Sequence, residues 1–367
     1  MGASLIGCGK ALPALRVRND DLSSLVETDD EWIVKRTGIH ERRIAVGETA
    51  TDLASAACEA AMGIEPRVPQ GMKTAGWHGH VASGECKGGQ IDPATIDLVV
   101  CMTVSGDAAI PSQAALVKMR LGLSNAVAFD VNAACSGCVY GLSVAEGLMR
   151  AAAAAPGRCN PVRRALVVGV ERLSRVVDWG DRSTCVLFGD GAGAVLLEWR
   201  DDRRGIISTF LKNTDDPDLT LSLGLPRPGE PPFDAEGVGK RGGAYRIPYG
   251  MTPYIGMAGR EVFKFATAAV REAIEEAARR GETDLGDLAC IVPHQANERI
   301  IAHVAKKMGL PLERFQLSIG ECGNTSAASA LIALCDAYSL GKIGQGDRVV
   351  IVGFGGGLTS GALLFEA

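Results

Sequence analysis

No apolar run in this 367-residue sequence is long and unbroken enough to cross a membrane; each is short or interrupted by glycine. Positive charge is not in excess either. Thirty-eight Lys and Arg stand against 43 Asp and Glu, a formal net charge of -5. That excludes a global basic field for nucleic acid and leaves room only for a local basic patch. The opening MGASLIGCGKALPAL has no basic stretch followed by an apolar run, so no secretory signal is expected. Its match to a myristoylation pattern is fortuitous, because the segment continues like a buried strand. Neither a membrane nor a nucleic acid is an expected partner.

The eleven cysteines therefore read as free thiols of a reducing cytoplasm, packed as small hydrophobes. Hydrophobic residues make up 47% and charged residues 22%, which supplies a sizeable core. The length suits one large domain or two fused halves.

TDDEWIVKRTGIHERRIA (28–45) reads as a short helix and then a loop. TDLASAACEAAM (51–62) reads as a helix with Thr51 as N-cap. Residues 63–91 are rich in Gly and Pro, lack periodicity and read as a long loop. Compact domains seldom carry such loops without a reason. LVVCMTV (98–104), VAFDVN (127–132), RALVVGVE (164–171) and GAGAVLLEW (191–199) read as strands. CSGCVYGLSVAEGLMRAAAAA (135–155), apolar nearly all round, reads as a buried helix.

The second half repeats this order. ACIVPHQ (289–295) and RFQLSIG (314–320) read as strands. NTSAASALIALCDAYSLG (324–341) reads as a small-residue helix, and DRVVIVGFG (347–355) and GALLFEA (361–367) as strands. Cys135 follows Leu98 by 37 residues and Thr325 follows Ala289 by 36. Each unit ends in a Gly-rich hairpin, FGDGAGAVLL (188–197) and FGGGLTSGALLF (354–365). The repeat implies duplication of one α/β unit, with halves 1–200 and 201–367. Stacked back to back, the halves bury their two small-residue helices between layered sheets.

Three residues stand out chemically. Cys135 sits at a strand-to-helix junction, where helix N–H groups lower a thiol pKa and can hold an oxyanion. The alternative is a buried cysteine at a helix start. Cys138 completes CSGC, which admits a redox pair or half a metal site, although no second cysteine pair exists for zinc. A place in the core one turn on suits Cys138 better. His294 follows Pro293 at the carboxyl end of a strand, where α/β proteins put their sites; a hydrogen-bonded structural histidine is the bland reading. Asn324 is either an N-cap or, as the duplicated counterpart of Cys135, a donor into the same site. His40 and His303 lie in charged, exposed stretches. WHGHVASGEC (77–86) offers His78, His80 and Cys86 as a weak metal set. GFGGGLT (353–359) lacks the Lys-Ser/Thr ending of a phosphate loop and precedes a strand. It can instead donate an N–H to an oxyanion near Cys135.

Together DEWIVKRTGIHERRIA, NAACSGCVYGL, DRSTCVLFGDGAGAVLL, GREVFKFA, VPHQANERII, GNTSAAS and GFGGGLTSGALLF resemble the β-ketoacyl-[acyl-carrier-protein] synthase III family of thiolase-fold condensing enzymes. The resemblance spans nearly the whole chain. It implies a layered α/β/α/β/α fold and a decarboxylative condensation of a short acyl-CoA with malonyl-acyl carrier protein (malonyl-ACP). The product, 3-oxoacyl-ACP, starts fatty-acid synthesis.

By the resemblance, Cys135 carries the acyl group as a thioester, and His294 and Asn324 bind the malonyl thioester carbonyl. Cys135 and Gly356 form the oxyanion hole. Trp32 and Arg182 match the pair that sandwiches the CoA adenine; Arg36, Thr37, Gly259 and Asn297 match further CoA contacts. Lys264, Gln295, Ala296, Asn297, Glu298, Arg299, Lys306 and Lys307 match the ACP-docking face. A homodimer is implied. No cofactor is, since the CoA thioester is a substrate. The sequence departs from the family pattern in the insertion at 63–91, in Ser360 where an aromatic often stands, and in the small residues of VSGDAAIPSQAALV (104–117). These departures motivate an alternative: a synthase-III-like acyltransferase or condensing enzyme of secondary metabolism. Biosynthetic thiolases need a second cysteine in the late Gly-rich segment, and type I and II ketoacyl synthases need two histidines; GFGGGLTSG and Asn324 fit neither.

Overall fold

Most long strands of this chain are apolar on both faces, which demands cover on both sides of a sheet. The computed structural model describes residues 1–67, 75–81, 90–202, 205–224, 233–234, 237–238 and 252–367. A six-stranded sheet comprises β1 (Gly2–Leu12), β2 (Ala75–Val81), β3 (Leu98–Met102), β4 (Val127–Val131), β5 (Arg164–Arg172) and β6 (Asp190–Arg200). Its order is β2-β1-β6-β5-β3-β4, with β3 parallel to both β4 and β5. A four-stranded sheet comprises β7 (Ile206–Asn213), β8 (Leu288–Pro293), β9 (Arg348–Gly355) and β10 (Thr359–Glu366). Its order is β8-β9-β10-β7, and only β8 and β9 run parallel.

Alternating side chains sort the layers. In β5, Leu166, Val168 and Val170 face an outer core that includes helix α2 (Ala50–Ala61) and helix α3 (Gln113–Leu121). Ala165 and Val167 face the central core instead. That central layer holds α4 (Gly137–Ala154) and α7 (Ser329–Ser339), and Val349, Ile351, Leu363 and Phe365 close it from the second sheet. On the far side, Val350, Val352, Ala362 and Leu364 pack under α5 (Gly259–Arg280) and α6 (Glu298–Met308). The result is five layers, α/β/α/β/α, as the resemblance implied. Ala330, Ala333 and Ala337 let α7 lie close between the sheets. Helix α1 (Asp30–Thr37) stands apart, started by the Asp29 side chain and ended by Gly38 at φ 78°.

Several expectations need correction. Part of the 63–91 stretch is not loop: β2 pairs antiparallel with β1, where backbone hydrogen bonds rather than side-chain periodicity define the strand. The side chains of His78 and His80, and all of Cys86, lie outside the described residues. Thr49, not Thr51, caps α2, because Asp52 three residues on completes its capping box. Residues 41–44 form a strand with Leu15–Arg18 rather than a loop. RFQLSIG contributes one parallel bridge, Ile291 to Phe315, and no strand. It is hemmed in by a 3₁₀ turn at Leu312–Arg314 and a short helix at Ile319–Cys322. The 188–197 segment is no tight hairpin: residues 173–189 join β5 to β6, and Asp190 already begins the strand. Helix α4 is buried on one side only, for Val144 and Leu148 are 37% and 40% exposed.

Candidate active site

The duplicated unit turns sharply twice, at Ala134 (φ 45°) and Ser326 (φ 44°). Left-handed backbone costs a non-glycine residue roughly 1–2 kcal/mol, and such strain gathers at functional sites. In both turns an Asn side chain two residues earlier caps the strained residue. Asn132 Oδ1 accepts from Ala134 N at 3.2 Å, and Asn324 Oδ1 from Ser326 N at 2.9 Å. Asn324 is thus the counterpart of Asn132, and Ala327 that of Cys135; the pairing of Asn324 with Cys135 is off by three positions.

The two turns, Ala134–Ser136 and Ser326–Ala328, pack against each other. Gly169 of β5 makes room, since a Cβ there would meet Ala327 O at 2.5 Å. The Ser326 hydroxyl hydrogen-bonds the Cys135 thiol. Asn324, 6% exposed, spends its side-chain oxygen on the turn, which leaves its NH2 as the donor. His294, 1% exposed, places Nδ1 2.5 Å from Ser329 Oγ at the start of α7. Its ring meets Phe354 edge-on at 5.0 Å. Phe354 leads into Gly355, whose backbone presses on Cys135: an added Cβ would lie 2.6 Å from Cys135 N. Thr359 Oγ1 ties the start of β10 to Ser136 Oγ at 2.6 Å. Residues 324–329 thus connect Cys135, Asn324 and His294 by hydrogen bonds.

Burial reverses the electrostatics expected for Cys135. Loss of solvent pushes its thiol up to about 12, although Ser326 and its own backbone N–H pull the other way. The α-helix proper begins at Gly137, two residues on, so the helix terminus does not prevail. Burial also pulls His294 down to about 3, so it is neutral at physiological pH. Cys138 is wholly buried in the central core, as expected of it. Ten cysteines are described, and among the described residues none forms a disulfide; nine are buried and Cys159 is exposed.

The outlying residues divide. The Arg182 guanidinium lies over Trp32 at 3.9 Å and that of Arg36 at 4.6 Å. Asn297 Nδ2 donates to Arg36 O at 3.0 Å, joining α1 to α6. At 3.9 Å no ring fits between Trp32 and Arg182, so an adenine between them requires Arg182 to swing out. Thr37 is turned inward, its hydroxyl donating to Ile33 O and accepting from Ile39 N. Gly259 opens α5 at an exposed position, and Gly356 lies in the β9–β10 turn. Lys264, Arg299, Lys306 and Lys307 are exposed on the neighbouring helices α5 and α6; Ala296 and Glu298 are half-buried. Gln295 is not on that face. It is 2% exposed, donates to Pro293 O and Gln316 O, and accepts from Ser318 N and Ile319 N. Its amide does the work of the missing strand beside β8. His40 and His303 are exposed, as expected.

Ser326, Ser329 and Glu171 were missed in the sequence. Glu171 carried a signal, a carboxylate ending the apolar run RALVVGV. The serines carried none, lying in a helix start rich in small residues.

Comparison with known proteins bears on this site. Residues 129–215 match the family 3-oxoacyl-[acyl-carrier-protein] synthase III, and residues 278–367 its C-terminal part. The chain is 40% identical to the β-ketoacyl-[acyl-carrier-protein] synthase III of Clostridium beijerinckii over 99% of this chain and 98% of that protein. The Aquifex aeolicus 3-oxoacyl-[acyl-carrier-protein] synthase III crystal structure superposes with a TM-score of 0.81 at 35% identity, covering 100% of both chains. The priming β-ketosynthase of the R1128 polyketide pathway superposes at 0.79 with 30% identity, covering 100% of this chain and 96% of that one.

Proposed function

The chain belongs to the β-ketoacyl-[acyl-carrier-protein] synthase III family, and we propose that Cys135, His294 and Asn324 carry its condensation through an acyl-cysteine. It is a condensing acyltransferase that initiates fatty-acid synthesis. In the proposed first half, Cys135 Sγ attacks the carbonyl of a short acyl-CoA, and CoA leaves as its thiolate. The N–H groups of Cys135 and Gly356 hold the oxyanion.

In the second half, His294 and Asn324 hold the thioester oxygen of malonyl-ACP. The bond to the carboxylate breaks, CO2 leaves, and its electron pair becomes an enolate. The enolate carbon attacks the acyl-cysteine and frees Cys135. Two features support these roles. His294 is neutral, and Ser329 Oγ already accepts from Gln295 N at 3.2 Å. We assign the Ser329 hydroxyl as the donor to His294 Nδ1, the arrangement that puts the ring proton on Nε2, free to donate. The observation that carries the reading is the 324–329 turn, which links all three residues. A metal or redox cofactor has no task in this scheme.

Half-buried Trp32 and Arg182 with exposed Arg36 suit the CoA adenine, with Thr37 shaping the helix end, Asn297 bonded to Arg36 O, and Gly259 assigned to the same subsite. Lys264, Arg299, Lys306 and Lys307, with Ala296, Asn297 and Glu298 between them, suit an acidic carrier protein. We further assign a homodimer through the edge strand β4. It exposes Val127 by 46%, and the neighbouring α4 exposes Val144 and Leu148. Ten described cysteines outside any disulfide fit work in the cytoplasm. No helix among the described residues is long and apolar enough to cross a membrane.

Mass spectrometry after incubation with acetyl-CoA tests the reading. One acyl adduct is expected, on Cys135, and malonyl-ACP should then give 3-oxoacyl-ACP. No adduct, or an adduct elsewhere, overturns it. The likeness to a polyketide priming synthase favours a second reading, in which the primer is a specialised acyl group. A panel of acyl-CoA primers of increasing length and branching separates the two.

A further inference from the structure

Glu171, next to last in β5, has 0% exposure, and among the described residues no Lys, Arg or His forms an ion pair with it. Its neighbour Arg172 turns to Asp107 at 4.0 Å. A buried carboxylate without a cation is costly. Four donors partly compensate: Val104 N at 3.1 Å, Thr103 Oγ1 at 3.3 Å, Ser105 Oγ, and the Ser326 hydroxyl. The titratable groups facing it are Cys135 and Cys101. Burial raises its pKa to about 7.

Ser326 touches both ends of a chain, hydrogen-bonding the Cys135 thiol and the Glu171 carboxyl. A hydroxyl can accept from the thiol while donating to the carboxylate, and can reverse both bonds. His294 cannot take the cysteine proton, since its Nδ1 is engaged by Ser329 and burial opposes its charging.

We infer that Glu171 accepts the Cys135 proton through the Ser326 hydroxyl and keeps it while the cysteine carries the acyl group. This rests on the acyl-cysteine reading. On acylation the Sγ–H bond breaks as Sγ bonds the acyl carbon. The thiol proton passes to Ser326 Oγ, whose own proton passes to Glu171. The acyl carbon–sulfur bond to CoA breaks, and the CoA thiolate takes a proton from water outside. On condensation the expelled Cys135 thiolate regains the stored proton by the reverse path, so the enzyme's proton balance closes. The buried site holds one negative charge before and after the first transfer. Making the nucleophile therefore adds no charge to a dry environment.

The test is the single-turnover acylation of Cys135 by acetyl-CoA, followed by mass spectrometry from pH 5.5 to 9.5. The wild type should show a limb near the Glu171 pKa. Glu171→Gln and Ser326→Ala should both lose that limb and acylate roughly 100-fold more slowly at pH 7, the low end for general-base catalysis. A structural role alone would not remove the limb. If Glu171→Gln fails to fold, Ser326→Ala decides, since it keeps the carboxyl and a side chain that tolerates the same backbone. Folded variants that acylate within about twofold of wild type with an unchanged pH profile overturn the relay. A wild type that forms no adduct overturns the acyl-cysteine reading instead.

Discussion

Replacing Gly355 with alanine should damage the site while removing none of its reacting groups. The new Cβ would lie 2.6 Å from Cys135 N, 3.1 Å from its Cβ and 3.2 Å from its Cα. Ordinary contact begins at 3.4 Å, so about 0.8 Å must be found. The obstacle is backbone on both sides. Phe354 is fixed against His294, and Thr359 is tied to Ser136, so neither strand end gives way freely. Overpacking of this kind costs about 1–3 kcal/mol. Displacing a nucleophile by nearly 1 Å costs about 100-fold in rate. Single-turnover acylation should therefore fall about 100-fold, with the melting temperature lowered by a few degrees. Gly286→Ala is the control, because nothing lies within 4 Å of its added Cβ. A Gly355→Ala enzyme that acylates and melts like wild type would refute the packing argument and the seat it assigns to Cys135.

Three further outcomes are expected. Arg182→Ala should raise KM for acyl-CoA by about 5–30-fold, the worth of a 1–2 kcal/mol cation–π or stacking contact, with kcat changed less; steady-state kinetics checks this. Charge reversal at Lys264 and Lys307 should lower kcat/KM for malonyl-ACP and weaken its salt dependence, yet leave acylation by acyl-CoA intact. Stability should also carry a mark of Glu171. Its folded pKa is raised from 4.5 to about 7, so its contribution is fully present below pH 4.5 and lost as pH rises through 7. The loss reaches about 3 kcal/mol. Thermal unfolding across pH 5–9 should show a decline that Glu171→Gln flattens.

Much of this architecture was legible because the strands are buried on both faces and the helices between them are built of small residues. Those patterns survive without tertiary information. Cys135 and His294 were legible for a related reason: each sits where a regular element stops, and such ends are where α/β folds place chemistry. What escaped depends on contacts distant in sequence. Strand β2 is defined by pairing with β1, whose partner residues lie 63 to 74 positions earlier. RFQLSIG has strand composition, yet the Gln295 side chain takes hydrogen bonds that a neighbouring strand would have made. The sign of the Cys135 shift was also hidden. A helix terminus is visible in a sequence, whereas the loss of solvent that outweighs it is not.

The two strained turns at Ala134 and Ser326 carry a mechanical consequence. They come from opposite halves of the chain and press on one another, so the seam between the halves runs through the reacting atoms. Neither turn can relax without opening the joint. Remodelling the acyl cavity from the side of either turn would therefore loosen the union of the halves, and any stabilisation of that union would stiffen the seat of the nucleophile.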